Sequence, residues 1–337
     1  MTAQLVHPAQ VLLDAQGGAR RLPVCDHYSG VEARMRKSLQ LQAEMLQEFG
    51  ACVFDVTLDC EDGAPVGQEL AHARLVASLA NGAVAATPGV RVAARVHAAD
   101  HAAFQQDMDI IAGEAGESLC HIMVPKVESV DDVLAAEKAL QRASGKRIPL
   151  HVLIESPAAV HRAFDIAAHP LVQSISFGLM DFVSAHGGAI PASAMTAQGQ
   201  FEHPLVVRAK LEIAAACHAH GKVPSHCVVT EFRNPQALEA CAQKAARELG
   251  YTRMWSIHPD QIRPILRAFA PAADEVRQAA QILTSAAVQN WAPISLDGVL
   301  HDRASYRYFW QLLERAHQTG QALPDAVQPW FAPEPTH

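Results

Sequence analysis

The chain alternates short runs of β-branched and other apolar residues with longer amphipathic stretches, and this alternation restricts the fold more than any other feature of the sequence. Eight such runs are predicted strands: residues 21–25, 51–59, 90–97, 121–127, 149–155, 174–178, 222–229 and 254–258. The stretches between them have apolar residues at three- and four-residue spacing, which is typical of helices, in residues 32–49, 68–80, 131–141, 205–220 and 235–249. This βα repetition predicts an α/β fold, a (β/α)8 TIM barrel.

The 337 residues exceed what one barrel of about 250 residues needs. We therefore expect a catalytic barrel in residues 20–270 and a helical C-terminal extension in residues 271–331. Residues 273–290 have the pattern of one long helix, and the aromatic run at 306–310 opens another. The extension is expected to act as a lid over a barrel mouth or as a contact with a neighbouring subunit.

Composition excludes several classes of protein. The formal net charge of −8 argues against a broad nucleic-acid surface, which needs clustered positive charge. No apolar stretch approaches the roughly 20 residues that a membrane helix requires, and no basic segment with an apolar run opens the chain. The seven cysteines include no C-x-x-C pair. We expect reduced thiols, no membrane association and a cytoplasmic location.

Carboxylates follow three predicted strands at the edge where a barrel gathers its catalytic groups. Residues 59–62 contain three acids, Glu155 ends the fifth strand, and Asp181 follows the sixth. Carboxylates that converge on one pocket repel one another, and a bound divalent cation removes the repulsion. Oxygen ligands completed by water and substrate suit Mg²⁺. A magnesium site is therefore expected, although a single acid at a strand end often only caps the next helix.

Two basic residues also stand at strand ends. Arg95 ends the third strand and can direct several N–H groups at a carboxylate or a developing enolate oxygen. Lys126 ends the fourth and has two interpretations. It can be a charged, ion-paired side chain that contacts substrate, or a neutral Schiff-base nucleophile; its acidic neighbours favour the charged form.

The motifs at these strand ends, taken in order, resemble those of one enzyme family. They are Asp59-Cys60-Glu61-Asp62, Arg95-Val96, Val124-Pro125-Lys126-Val127-Glu128, Ile154-Glu155, Phe177-Gly178-Leu179-Met180-Asp181 and Ile257-His258-Pro259. The series is similar to the citrate lyase β-subunit-like group of the HpcH/HpaI aldolase superfamily, near the malyl-CoA and citramalyl-CoA lyases. It spans residues 22–310. Each fragment is weak by itself, but the ordered set is specific.

The resemblance implies a Mg²⁺-dependent carbon–carbon lyase that cleaves or forms a 3-hydroxyacyl-CoA-type thioester through an enolate, releasing a keto acid. It makes Glu155 and Asp181 the metal ligands and Arg95 the group that neutralises the carbonyl or enolate oxygen. Glu61 and Asp62 then match acids that orient the site through metal-bound water. The resemblance also implies a homotrimer or a higher homo-oligomer.

Residues 298–302 resemble the family segment whose aspartate reaches a neighbouring subunit's site. Asp302 is therefore the candidate acid/base. A mobile tail that closes would exclude water and raise the pKa of such a carboxyl by desolvation.

Departures from the family pattern leave alternatives open. His97 stands where the family commonly has Asn, and His27 and Tyr28 follow the first predicted strand as possible substrate contacts. A Mg²⁺-dependent pyruvate aldolase with a histidine base, or a non-catalytic organic-acid-binding subunit of a lyase complex, remains possible. The thioester can be free or carrier-bound. The basic residues considered for its phosphates are Arg34, Arg36, Lys37 and Arg74.

Overall fold

The computed structural model describes residues 7–13 and 22–332. Within them the chain forms two compact units. One contains residues 22–268, and the other contains the described residues 7–13 and 269–332.

The first unit is built on a closed barrel of eight parallel strands, paired in chain order with β1 closing on β8. The strands are β1 (Cys25–Ser29), β2 (Phe54–Asp59), β3 (Val92–Arg95), β4 (Leu119–Val124), β5 (Leu150–Ile154), β6 (Val172–Phe177), β7 (Val223–His226) and β8 (Arg253–Ser256). The predicted TIM barrel is confirmed. Nearly every strand residue is buried because helices cover the sheet outside and side chains fill it inside.

Helices follow the strands as the βα pattern requires. In chain order the helices are α1 (Pro8–Leu12), α2 (Glu32–Phe49), α3 (Glu69–Ala86), α4 (Phe104–Asp107), α5 (Gly113–Ala115), α6 (Val130–Ser144), α7 (Pro157–His161), α8 (Ala163–Ala168), α9 (Leu179–Ser184), α10 (Pro204–Ala219), α11 (Pro235–Glu248), α12 (Ile262–Phe269), α13 (Ala273–Val288) and α14 (Arg303–Gln318). A π-helical turn, Met108–Ala112, joins α4 to α5.

Local sequence sets the ends of α6. The Ser129 hydroxyl accepts from the Asp131 N–H, and the Asp132 carboxylate accepts from the Ser129 N–H, which together satisfy free donors of the first turn. Gly145, at φ 67°, ends the helix in the left-handed conformation that glycine tolerates best.

The first strand lies elsewhere than predicted. The prediction of residues 21–25 is wrong, because β1 is Cys25–Ser29 and begins where the predicted strand ends. Residue 21 lies outside the described residues. The error arises because β1 carries Asp26 and His27, which are fully buried although polar. Arg253 and Ser256, which contact Asp26 and His27, lie far away in sequence, so the local pattern does not show that these polar residues belong to a buried strand.

An ion network fills the amino-terminal half of the barrel interior. Arg253 Nη2 lies 2.8 Å from an Asp26 oxygen and 2.6 Å from an Asp55 oxygen, and Arg253 Nη1 donates to the Pro23 carbonyl. Arg91 Nε donates to the other Asp55 oxygen. The removal of these charges from water is costly, so the network depends on every acid having a cationic partner.

The second unit has its own apolar core. Helices α13 and α14 pack against each other, and between them a hairpin of β9 (Ile294–Leu296) and β10 (Val299–His301) turns the chain. Trp291 and Trp310 are buried in this core, and the Tyr306 hydroxyl donates to two carbonyls. Residues 7–13 also belong here: α1 packs on α14, and the Leu12 carbonyl accepts from Arg307. The sequence interpretation did not anticipate that contribution.

None of the helices in residues 7–13 and 22–332 is long and apolar enough to cross a membrane. All seven cysteines are free thiols, five of them buried.

Arg253→Ala is expected to reduce the free energy of unfolding by about 3–5 kcal/mol, because it leaves two buried carboxylates without their shared cation. The measurement is urea denaturation followed by circular dichroism. Arg263→Ala is the matched control, since it removes an exposed pair with Glu48 and should cost less than about 1 kcal/mol. Equal losses for the two variants would contradict a stabilising role for the buried network.

Candidate active site

Six of the predicted site residues of the barrel unit gather at the carboxyl ends of β2 to β6, the face where TIM barrels hold their active sites, whereas His27 lies within β1. Glu61 and Asp62 follow β2, Arg95 ends β3, Lys126 follows β4, Glu155 follows β5, and Asp181 lies in α9.

Asp59 and Arg95 form the most complete ion pair of this face. Arg95 Nε donates to one Asp59 oxygen at 2.7 Å and Arg95 Nη2 to the other at 2.6 Å, and both side chains are buried. Asp59 also accepts from the backbone N–H groups of Glu61 and Gly63. Burial lowers the pKa of Arg95, but the Asp59 and Glu61 carboxylates raise it by more, so the guanidinium stays charged. The sequence interpretation counted Asp59 among the strand-end acids but gave it no role.

Glu61 connects Arg95 to Lys126. Arg95 Nη1 lies 3.1 Å from Glu61 Oε2, and the Lys126 ammonium is hydrogen-bonded to Glu61 Oε1. Asp62 is mostly exposed and lies 3.6 Å from the same ammonium. The structure thus places Glu61 inside the charged cluster and Asp62 at its edge.

Lys126 is held as a cation. Partial burial lowers the pKa of its amine, but the hydrogen bond and the charge of Glu61 outweigh that effect and raise the pKa above its ordinary value. A Schiff-base nucleophile needs a neutral amine, so this environment favours the ion-paired interpretation. The backbone φ of Lys126 is 51°, and in this conformation its N–H donates to Glu155 Oε1 at 2.8 Å.

Glu155 and Asp181 form a carboxylate pair, and within residues 22–268 no ion pair is found for either side chain, although the Lys126 ammonium is close enough to act on Glu155. Burial and then the charge of Asp181 raise the pKa of Glu155 to about 8. Gly178 leaves room for this group, because a Cβ there would lie 2.4 Å from Glu155 Oε2. Two neighbouring carboxylates that repel each other suit Mg²⁺, which needs only one or two protein carboxylates and completes its shell with water and substrate.

Two other clusters contain residue types that can bind a metal ion, and both lie deep in the amino-terminal half of the barrel. They are Asp26, His121 and His151, and Asp55, Cys120 and His121. The His121 and His151 rings stack with centroids 3.5 Å apart and 14° between their planes, so their in-plane lone pairs run side by side rather than converge. Both aspartates already bind Arg253. The geometry therefore favours the Glu155 and Asp181 pair as the cation site.

A cavity of ≈ 790 Å³ opens beside Arg95. Tyr28 and Trp255 form one wall, with their rings 4.5 Å apart, and the Arg95 guanidinium lies 5.6 Å from the centre of the Tyr28 ring. Asp62 and His27 also line it. Its volume suits a small organic ligand.

Two histidines that the sequence analysis considered as functional residues are hydrogen-bonded to nearby side chains. His27 is 1% exposed, and its ring nitrogens contact the hydroxyls of Ser256 and Ser38, at 2.9 and 3.0 Å. His97 Nδ1 lies 2.6 Å from the buried Asp107 carboxylate, which also accepts from the His97 backbone N–H. The substrate contact proposed for His27 stays a prediction, since its ring has little polar capacity left.

Asp302 belongs to the second unit. It is exposed and caps α14, where its carboxylate accepts from the N–H groups of Ala304 and Ser305. The structure therefore does not bring it together with the barrel residues within one unit.

An eight-stranded parallel barrel with acidic and basic side chains at the carboxyl ends of its strands is typical of a TIM-barrel enzyme. Comparison with known proteins identifies the family. Residues 39–259 match the HpcH/HpaI aldolase/citrate lyase family, to which the chain belongs. The chain is 31% identical to the L-malyl-CoA/β-methylmalyl-CoA lyase of Cereibacter sphaeroides over 258 residues, 72% of this chain and 80% of the relative. It is thus a carbon–carbon lyase of the citrate lyase and malyl-CoA lyase kind.

Two solved structures extend the comparison. A citrate lyase from Burkholderia xenovorans LB400 is 47% identical, with a TM-score of 0.78 over 98% of this chain and all of the other. CitE from Mycobacterium tuberculosis, solved with magnesium, acetoacetate and coenzyme A, has a TM-score of 0.63 at 20% identity over 88% of this chain and 98% of its own. The second likeness concerns the fold alone.

Glu155→Gln is expected to abolish most Mg²⁺ binding, measured by isothermal titration calorimetry, while the protein stays folded. In the unaltered protein the affinity should fall as the pH drops below about 8, because the cation must displace a proton from Glu155. The fall approaches about tenfold per pH unit for one proton.

Glu128→Gln is the matched control, because Glu128 is exposed and its carboxylate only accepts from the Ser156 hydroxyl. If Glu155→Gln binds Mg²⁺ as tightly as Glu128→Gln does, the assignment of the metal ligands is wrong.

Proposed function

We propose that the protein is a Mg²⁺-dependent lyase that cleaves or forms a 3-hydroxyacyl-CoA thioester of the malyl, citramalyl or citryl type, by a retro-Claisen or aldol-type reaction with an enolate intermediate. One observation carries the proposal. The Arg95, Glu61 and Lys126 cluster connects through a backbone N–H to the Glu155 and Asp181 pair, at the carboxyl face of a barrel of this family.

Glu155 and Asp181 are the residues that would hold the cation. When bound, Mg²⁺ supplies Lewis acidity to the carboxylate and keto oxygens of an α-keto acid. Lys126 supports this site twice, through its N–H to Glu155 and through its ammonium, which offsets nearby negative charge.

In the proposed reaction Arg95 stabilises negative charge on the thioester oxygen. A guanidinium has five N–H donors. Two of them donate to the Asp59 oxygens, and Nη1 forms an ion pair with Glu61 Oε2, so the guanidinium keeps donor capacity towards the cavity that Arg95 lines. Because Asp59 fixes the guanidinium before substrate arrives, little reorganisation is needed when the enolate forms.

Asp302 is the proposed acid/base. Its carboxylate is exposed at the start of α14 and belongs to the second unit. We propose that it acts in a homo-oligomer, from the extension of a neighbouring subunit, as the family resemblance implies.

A pyruvate aldolase reaction is the second candidate. It needs a histidine base, and the hydrogen bond of His97 Nδ1 to the buried Asp107 fixes the orientation of one imidazole near the end of β3. His97→Asn separates the two candidates, since it should abolish aldol activity but leave thioester cleavage largely intact.

Cleavage of citramalyl-, malyl- and citryl-CoA, followed by release of the keto acid, tests the proposed reaction. We expect at least one thioester to be cleaved, with activity lost on EDTA treatment and restored by Mg²⁺. No cleavage across the panel, together with Mg²⁺-dependent aldol condensation of pyruvate, would contradict the thioester reaction.

Mixing two inactive variants tests the role of Asp302. If the site takes residues from two subunits, Asp302→Asn and Glu155→Ala chains should each be inactive and regain part of the activity when refolded together. Glu155→Ala mixed with Asp181→Ala is the control and should show no rescue, because both changes lie in one unit. Full activity of Asp302→Asn alone would exclude Asp302 as the acid/base.

A further inference from the structure

A buried amine lies where α10 packs on β7, and the proposed reaction does not use it. Lys210, in α10, is fully buried. Its Nζ donates to Gln200 Oε1 at 2.8 Å and lies 4.0 Å from the centre of the Phe201 ring. Within residues 22–268 no ion pair is found for this side chain. The site is therefore chemically distinct, because a buried lysine charge is costly unless an acid is paired with it.

A thiol shares the acceptor of this amine. Cys227 directly follows β7 and is 1% exposed, and its Sγ donates to the same Gln200 oxygen at 3.1 Å. The amine and the thiol are thus neighbours, and each acts on the pKa of the other. The other end of the amide, Gln200 Nε2, is buried without a partner among the described residues. The Gln200 side chain is therefore held between the two groups by their own hydrogen bonds alone.

Burial favours the neutral form of both groups. It lowers the pKa of the Lys210 amine and raises the pKa of the Cys227 thiol. A buried neutral thiol is inert by itself. A neutral amine, however, keeps the lone pair that a base or a nucleophile needs. The neighbouring Lys210 amine therefore supplies the proton acceptor that the Cys227 thiol requires in order to react.

A surface cavity of ≈ 480 Å³ lies over the same region. Gln198, Gly199 and Glu202 line it, and Gln200 lies between them in the short 3-10 turn Gly199–Phe201. A 3-10 turn has weaker hydrogen-bond geometry than an α-helix, and such short segments open locally at low free-energy cost. Opening of this turn gives an oxidant of about the size of water a route to the thiol.

The other thiols near a lysine lack the shared acceptor. Cys241 Sγ donates to a backbone carbonyl at 3.1 Å instead of to Gln200. Cys217 and Lys222 are also close enough for the thiol to act on the pKa of the amine. The Lys222 amine, however, donates to the His169 carbonyl at 3.0 Å, which directs it elsewhere.

We propose that Cys227 and Lys210 form a covalent sulfur–nitrogen link when the protein meets a hydroperoxide. The amine accepts the thiol proton, and sulfur attacks one peroxide oxygen. The S–O bond forms and the O–O bond breaks, and the leaving hydroxide takes the proton back as water. The amine then attacks the sulfenic acid: the S–N bond forms, the S–O bond breaks, and a second water leaves with one amine proton. One peroxide is reduced to two waters, and the link joins the end of β7 to α10.

Peptide mapping by mass spectrometry of the full chain, treated with hydrogen peroxide, tests the proposal. We expect a peptide pair joined through Cys227 and Lys210, about 2 Da lighter than the sum of its parts through the loss of two hydrogens. Trypsin should no longer cleave after Lys210, and dithiothreitol should separate the pair. Lys210→Met and Cys227→Ser should each lose the link, and Lys222→Met is the matched control that should keep it.

The unaltered protein gives the deciding result, so the test does not depend on the folding of any variant. A disulfide between Cys227 and Cys241 gives the same mass loss, and finding it in place of the link overturns the proposal. The link should also persist in Cys241→Ala, because that thiol takes no part in it. A Cys227 that stays a free thiol while the partly exposed Cys52 is oxidised overturns the proposal as well.

Discussion

The bidentate pair of Asp59 and Arg95 is the interaction on which the carboxyl face of the barrel depends. It joins the ends of β2 and β3 through two short hydrogen bonds in a buried setting, where charge-assisted bonds are strong. Glu61 contacts both Arg95 and the Lys126 ammonium, and the Lys126 backbone N–H donates to Glu155. Four consecutive strands are thereby connected by one sequence of contacts, which positions the groups of the proposed chemistry before substrate binds.

The barrel interior contains a second charged layer with a different role. Arg253 joins Asp26 and Asp55 near the amino ends of the strands, and Tyr28, Met123, Leu153 and Trp255 pack together in the interior. Tyr28 touches both regions, since its ring faces Arg95 and its hydroxyl lies 3.4 Å from Asp26. The inner network has all its acids paired with arginine, whereas Glu155 and Asp181 repel each other and the charge of Asp181 helps to raise the pKa of Glu155. That contrast distinguishes a structural ion network from a cation site.

Periodicity alone predicted the barrel, since apolar strands and amphipathic helices are local properties. Helix α2 has the predicted bounds, 32–49, because a glycine in the left-handed conformation ends it. The first strand could not be placed in this way, because Asp26 and His27 look like turn residues until Arg253 and Ser256, from the far end of the chain, are paired with them. Because the strands of a TIM barrel end at one face, their predicted ends also predicted that Glu61, Arg95, Lys126 and Glu155 lie at that face. It could not show that Asp59 fixes Arg95, nor that residues 7–13 pack with α14, since both depend on contacts distant in sequence.

The central claim is that Glu155 and Asp181 hold the cation and that Arg95 faces the reacting oxygen. A crystal structure of the protein grown with Mg²⁺ and an α-keto acid tests it most directly. The account predicts a cation held by Glu155 and Asp181, with the keto acid beside Arg95 and the Arg95 pair to Asp59 unchanged. A cation bound at Asp26, His121 and His151, or a keto acid bound away from Arg95 with no cation at Glu155, would contradict it.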